Sequence, residues 1–152
     1  MAVATFAMGC LWKRERILRR IHGVAATAVG YVGGDALNPV GPQVGAGLTG
    51  RAEVVQESYD PERIGYTVGL DVCWQHHDPD TRDRQGADVG RPYRSAMFTH
   101  GDAERAAARA SRDAHPTQRS RPVVSEIEPL RALYGAEDYH QRFMEKTATL
   151  CC

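Results

Sequence analysis

The amino-acid sequence predicts an α+β fold: a single-domain mixed sandwich with helices packed on a central β-sheet. Three observations lead there. Apolar or alternating stretches and amphipathic stretches succeed one another in the order β-α-β, β-α-β, α-β. A chain of 152 residues suits one buried core. Neither an internal repeat nor a shift of composition marks a boundary, so 1–152 reads as one domain with 147–152 as a mobile end.

Each element has its own warrant. AVATFA (2–7) is a short buried strand. CLWKRERILRRI (10–21) is a helix with Ile17, Leu18 and Ile21 on one stripe, stopped by HGV with Gly23. VAATAVGYV (24–32) is the second strand, and the Gly- and Pro-rich stretch 33–50 is a long loop of the kind that is functional or disordered. RAEVVQESY (51–59) alternates as a third strand. Asp60 as N-cap and Pro61 at the first helical position start a helix that runs on through IGYTVGLDVCWQHH, weakened by Gly65 and Gly69. A polar loop (78–93), a strand (94–99), an alanine-rich helix (102–115), a strand (121–129) and a last short helix or turn (136–147) complete the order.

Composition narrows the function. Acidic and basic residues balance at 19 each, which argues against general attraction to nucleic acid or to an anionic membrane. The cationic cluster at 13–20 is then a solvated helix face. No stretch has the apolar length of a membrane span, and MAVATFAMG lacks the basic start and long apolar run of a signal peptide. A cytoplasmic protein is expected, with reduced thiols.

The four cysteines are Cys10, Cys73, Cys151 and Cys152. Cys10 comes after a strand and opens a helix, where backbone N–H groups, with Lys13 and Arg14 nearby, favour a thiolate. The competing reading is a small buried hydrophobe. Glu53 begins a strand that otherwise looks buried. In apolar surroundings its pKa would rise and it would serve as an acid; on an exposed strand it would do neither. Asp88 and Tyr93, in RQGADVGRPYRS, either serve a site or cap turns. His76, His77 and His140 invite a metal reading with Cys73. Adjacent histidines on a helix diverge and no zinc spacing is present, so no metal site is expected. Trp12 and Trp74 read as core residues, and neighbouring Cys151 and Cys152 rarely bond to each other.

The stretches ATFAMGCLW, GYVGG, NP, TGRAEVV, YDPE, WQHHDP, RQGADVGRPYRSAMF, EIEPL and AEDYHQRF, in that order, resemble the A-type peptide methionine sulfoxide reductases, enzymes that reduce the S epimer. The resemblance covers 4 to about 145. It implies a sandwich related to ferredoxin-like folds and needs no cofactor. It implies Cys10 as nucleophile, Trp12 as the wall against the substrate methyl group and Leu11 as a second wall. It also implies Glu53 as the acid, Asp88 and Tyr93 as residues that hold the sulfoxide oxygen or a water, and Cys151 or Cys152 as the resolving thiol. Methionine sulfoxide, free or in oxidised proteins, is the implied substrate, thioredoxin the implied reductant, and a monomer the expected state.

Departures from the family pattern sit around the pocket. Leu11 replaces an aromatic residue and Gly41 an oxygen-binding Tyr. Gly45 stands where many members have a cysteine. Arg51 replaces the His beside the acid, where a cation would lower the Glu53 pKa. His76 replaces a common Asn. An active reductase is the first expectation. A weakened relative that binds oxidised methionine peptides, and a zinc or redox sensor, are the alternatives.

Overall fold

A computed structural model describes residues 1–32, 52–114, 123–131, 133–137 and 140–142. The chain enters as β1 (Ala2–Met8), α1 (Leu11–Arg19), β2 (Val24–Val32) and β3 (Ala52–Tyr59). It continues as α2 (Tyr66–His76), the short strands β4 (Arg84–Gln85) and β5 (Asp88–Val89), and a 3₁₀ turn (Arg91–Tyr93). Next come β6 (Ser95–Thr99), α3 (Asp102–Ala114), β7 (Glu126–Pro129) and β8 (Leu133–Gly135).

Six strands form one sheet in the order β7-β6-β1-β3-β2-β8; β4 and β5 pair separately. β6 and β7 are parallel, and the other neighbours are antiparallel. β3 lies between β1 and β2, so the β1-α1-β2 unit is split by an inserted strand. The four central strands, β6-β1-β3-β2, thus have the ferredoxin-like order. The expected α+β sandwich is the observed architecture.

Strand alternation sorts the core into two sets. Ala4, Phe6, Met8, Val29, Tyr31, Val55 and Tyr59 join Leu18 of α1 and Leu70, Cys73 and Trp74 of α2 in the larger cluster. Ala7, Val32, Ala52, Val54, Ala96 and Phe98 form a second cluster, against which Leu130 and Leu133 pack. Trp74 Nε1 donates to Ser111 Oγ at 2.7 Å and ties α2 to α3.

Several boundaries differ from the sequence expectation. Asp60 does cap, but it starts only a single turn: its side chain accepts the Glu62 N–H at 3.0 Å and its carbonyl accepts those of Arg63 and Ile64. Extended backbone at Gly65 then resets the chain, and α2 begins at Tyr66. α1 ends at Arg19, and the strand expected over 121–129 is, among the described residues, Glu126–Pro129. The β4–β5 hairpin and β8 are additions to the predicted order. Among the described residues no helix is long and apolar enough to cross a membrane.

Candidate active site

β1 delivers the chain to Gly9, which turns it with φ +96°, and Cys10 caps α1. A Cβ at Gly9 would lie 2.7 Å from Gln85 Cγ and 2.8 Å from Gln85 Cβ, so only glycine suits both the conformation and the space. Cys10 is 7% exposed. Its thiol therefore sits at the entrance of a nine-residue helix, beside first-turn N–H groups that have no partner within the helix. Arg14 folds back over this turn, its Nε donating to the Met8 carbonyl at 3.1 Å.

Glu53 reaches the same point from β3, where it pairs in register with Tyr31 of β2. Its Oε1 accepts the Leu11 N–H at 3.3 Å. Burial pushes its pKa from 4.5 up to about 7; the Leu11 N–H opposes that shift, and Asp88 adds to it. The Glu53 carboxyl therefore keeps a large share of its proton near neutral pH, held on the residue next to Cys10.

The hairpin β4–β5 supplies Asp88. Its buried Gln85 packs on Gly9 and is held to Asp78, Oε1 accepting the backbone N–H at 2.8 Å and Nε2 donating to the carbonyl at 2.7 Å. Gln85 faces Asp88 across the hairpin, which brings that carboxyl within electrostatic range of Glu53. Tyr93 is half-buried at the end of the 3₁₀ turn. Arg94, buried just beyond it, anchors the turn through Glu126 Oε2 at 3.1 Å and the Arg91 carbonyl at 3.0 Å.

Leu11 and Trp12 differ in character. Leu11 is 2% exposed and belongs to the core. Trp12 is half-buried, its Nε1 donating to His140 Nδ1 at 2.8 Å, with the rings tilted by 33° at 5.5 Å. The sequence offers His140 only as a metal ligand and gives no sign of a role for Tyr31 or Glu137. Nothing local in the sequence links the Trp12 motif to AEDYHQ; only the fold joins them.

Cys73 is fully buried in α2, and its thiol is pushed well up by burial and by Glu57, with Arg14 opposing. His77 turns its Nε2 to Ser95 Oγ at 2.7 Å and its Nδ1 to the Cys73 carbonyl. No group of three or more His, Cys, Asp or Glu residues positioned for a metal ion occurs among the described residues. Cys151, Cys152, Gly41, Gly45 and Arg51 lie outside the described residues.

A cysteine at a helix start beside a carboxyl that retains its proton suits thiol chemistry in which an oxygen must be protonated as it leaves. The chain belongs to the peptide methionine sulfoxide reductase family, whose profile matches residues 2–152. Among similar relatives, the peptide methionine sulfoxide reductase MsrA of Methanosarcina mazei is 50% identical over 149 residues, 97% of this chain and 71% of that one. That of Methanothermobacter thermautotrophicus is 47% identical over 98% of this chain and 89% of its own. Methionine sulfoxide reductase A of Corynebacterium diphtheriae has the same shape, with a TM-score of 0.94 at 30% identity over 99% of this chain and 76% of that one. Reduced Mxr1 of Saccharomyces cerevisiae gives 0.93 at 30% identity, over 99% and 88%.

Proposed function

We propose that this chain reduces methionine S-sulfoxide, free or within oxidised proteins, to methionine by thiol chemistry at Cys10. The observation that carries this reading is the Glu53 carboxyl, raised to about 7 and fixed on the Leu11 N–H beside Cys10. The Cys10 sulfur attacks the sulfoxide sulfur while Glu53 gives its proton to the oxygen, which is a poor leaving group until protonated. The oxygen leaves as water with the Cys10 and Glu53 protons, leaving a Cys10–sulfur bond to the substrate sulfonium. Water then adds to the Cys10 sulfur, returns a proton to Glu53 and expels methionine, so that Cys10 ends as a sulfenic acid. A second thiol condenses with it, forming a disulfide and releasing water, and a dithiol reductant restores both thiols.

Asp88 and Tyr93 serve the oxygen side of the pocket. Trp12 is the wall for the methyl group, and Leu11 backs it from the core. Cys151 or Cys152 is the resolving thiol, thioredoxin the dithiol, and residues 1–152 work as one domain in a cytoplasmic monomer. The test is turnover of the two separated sulfoxide epimers with dithiothreitol, in the wild type, Cys10→Ser and Glu53→Gln. Turnover of the S epimer that Cys10→Ser abolishes is expected, with Glu53→Gln slowed by about 10²-fold or more, as for a lost acid. Activity retained in Cys10→Ser would overturn the reading.

A further inference from the structure

We propose that His140 is a positioning residue that locks the Trp12 indole in place as the substrate wall, with Glu137, itself held by Tyr31, lying beside the other ring nitrogen. This rests on the reductase reading only for the role of Trp12.

An indole N–H is a donor and nothing else. Because Trp12 Nε1 lies 2.8 Å from His140 Nδ1, that nitrogen must accept, and it carries no proton. The neutral imidazole then holds its proton on Nε2, which lies 3.3 Å from Glu137 Oε2. The same carboxyl oxygen accepts the Tyr31 hydroxyl at 3.1 Å. Two hydrogen bonds, Tyr31 to Glu137 and Trp12 to His140, thus stand side by side, joined by the 3.3 Å approach of Glu137 to the imidazole. Tyr31 is also the register partner of Glu53, so the wall and the acid are braced by neighbouring positions of one strand pair.

The segment that carries His140 is itself held firmly. Gln141 accepts the Val29 N–H at 2.9 Å and donates to the Val29 and Ala136 carbonyls, each at 3.0 Å. The Arg142 N–H donates to the buried Glu15 of α1 at 2.6 Å. His140 therefore meets Trp12 from a fixed base, and its orientation is set before any substrate arrives.

Protonation reverses the arrangement. A proton on Nδ1 would face the indole N–H, donor against donor, and release the ring. Among the described residues Glu137 is the charged group that acts on the imidazole, Tyr31 reaches it through Glu137, and Glu15 holds the Arg142 N–H two residues on. Burial holds the imidazole below its ordinary value, with Glu137 opposing, so the change falls below pH 6.5.

The experiment uses the full chain with dithiothreitol and separated methionine S-sulfoxide. His140→Leu removes the acceptor; His140→Asn keeps an oxygen acceptor at the same branch position and cannot be protonated there. His140→Leu is expected to raise KM about tenfold, the worth of one hydrogen bond that orients the wall, with kcat nearly unchanged. His140→Asn should recover most of that loss and flatten the acid limb of the KM profile. In a Trp74→Phe background the Trp12 indole N–H resonance should titrate below pH 6.5 in the parent and not in His140→Asn. An unchanged KM in His140→Leu, or equal losses of kcat in both variants, would overturn the proposal, the latter because it would assign His140 to the chemistry. A parent protein without sulfoxide turnover would end the reductase reading instead, and the indole titration alone would then decide whether His140 holds Trp12.

Discussion

Glu57 offers a measurement in which the structure fixes both sign and size. It lies on β3 facing the helices, 1% exposed, and its Oε2 has no hydrogen-bond partner among the described residues. Burial raises its pKa from 4.5 to about 7. Below the unfolded value both states hold the proton and the group costs nothing beyond its packing. As pH rises the unfolded chain ionises first, and the folded state loses ground until Glu57 itself ionises. Integrating this linkage from pH 4.5 to pH 8 gives a loss of about 3 kcal/mol. Glu57→Gln removes the titration and keeps the shape. Urea unfolding with reductant present, at pH 4.5 and pH 8, should show the variant gaining about 3 kcal/mol on the wild type between the two conditions. Glu53, raised in the same way, is common to both proteins and cancels. A stability difference that is the same at both pH values would refute the reasoning and mean that Glu57 finds a partner when it ionises.

A Cβ at Gly69 of α2 would meet Glu57 Oε1 at 2.6 Å and the Phe6 ring at 3.1 Å; Gly69→Ala should therefore destabilise by roughly 1–3 kcal/mol despite its helix propensity, and by less in a Glu57→Val background, as denaturant titration of the double-mutant cycle will show. Gly9→Ala should displace Gln85 and with it the hairpin that carries Asp88, lowering kcat/KM by tenfold or more, about 1.4 kcal/mol of transition-state stabilisation; wild-type kinetics in a folded variant would mean the hairpin is free to shift. Cys151→Ser with Cys152→Ser should keep dithiothreitol-driven turnover and lose thioredoxin-coupled turnover. Mass spectrometry after one equivalent of sulfoxide should find a disulfide between Cys10 and the tail in the wild type only.

The parts of the molecule that are legible in the sequence are those whose signal is local. The Cys10 helix start shows itself because an apolar run, a glycine and a 3.6-residue pattern stand side by side. The third strand shows itself through alternation, which puts Glu57 on the buried face with Val55 and Tyr59, although its charge alone would send it to solvent. β4, β5 and β8 are two or three residues long, too short for any periodicity. Asp60 and Pro61 have helix-start chemistry, but Gly65 interrupts them after one turn. The Trp12–His140 contact joins residues 128 positions apart, and nothing but the sheet order brings them together.

The bond from the Arg142 N–H to Glu15 also bears on regeneration. It fixes the base of the C-terminal tail on the same helix that Cys10 caps, about 6 Å along the axis from Leu11 at 1.5 Å per residue. From that base to Cys151 the fully extended chain reaches about 30 Å. β1 pairs with β3 over Ala2–Phe6 and with β6 over Thr5–Met8, which anchors the strand that leads to Cys10. The proposed resolving thiols, Cys151 and Cys152, follow that base by nine and ten residues, a spacing at which a flexible link would give a millimolar effective concentration. Under the proposed resolving role an external thiol would have to reach that concentration to compete for the sulfenic acid, and shortening the chain after Arg142 or cutting its anchor at Glu15 should change the rate at which oxidised enzyme is trapped by small thiols.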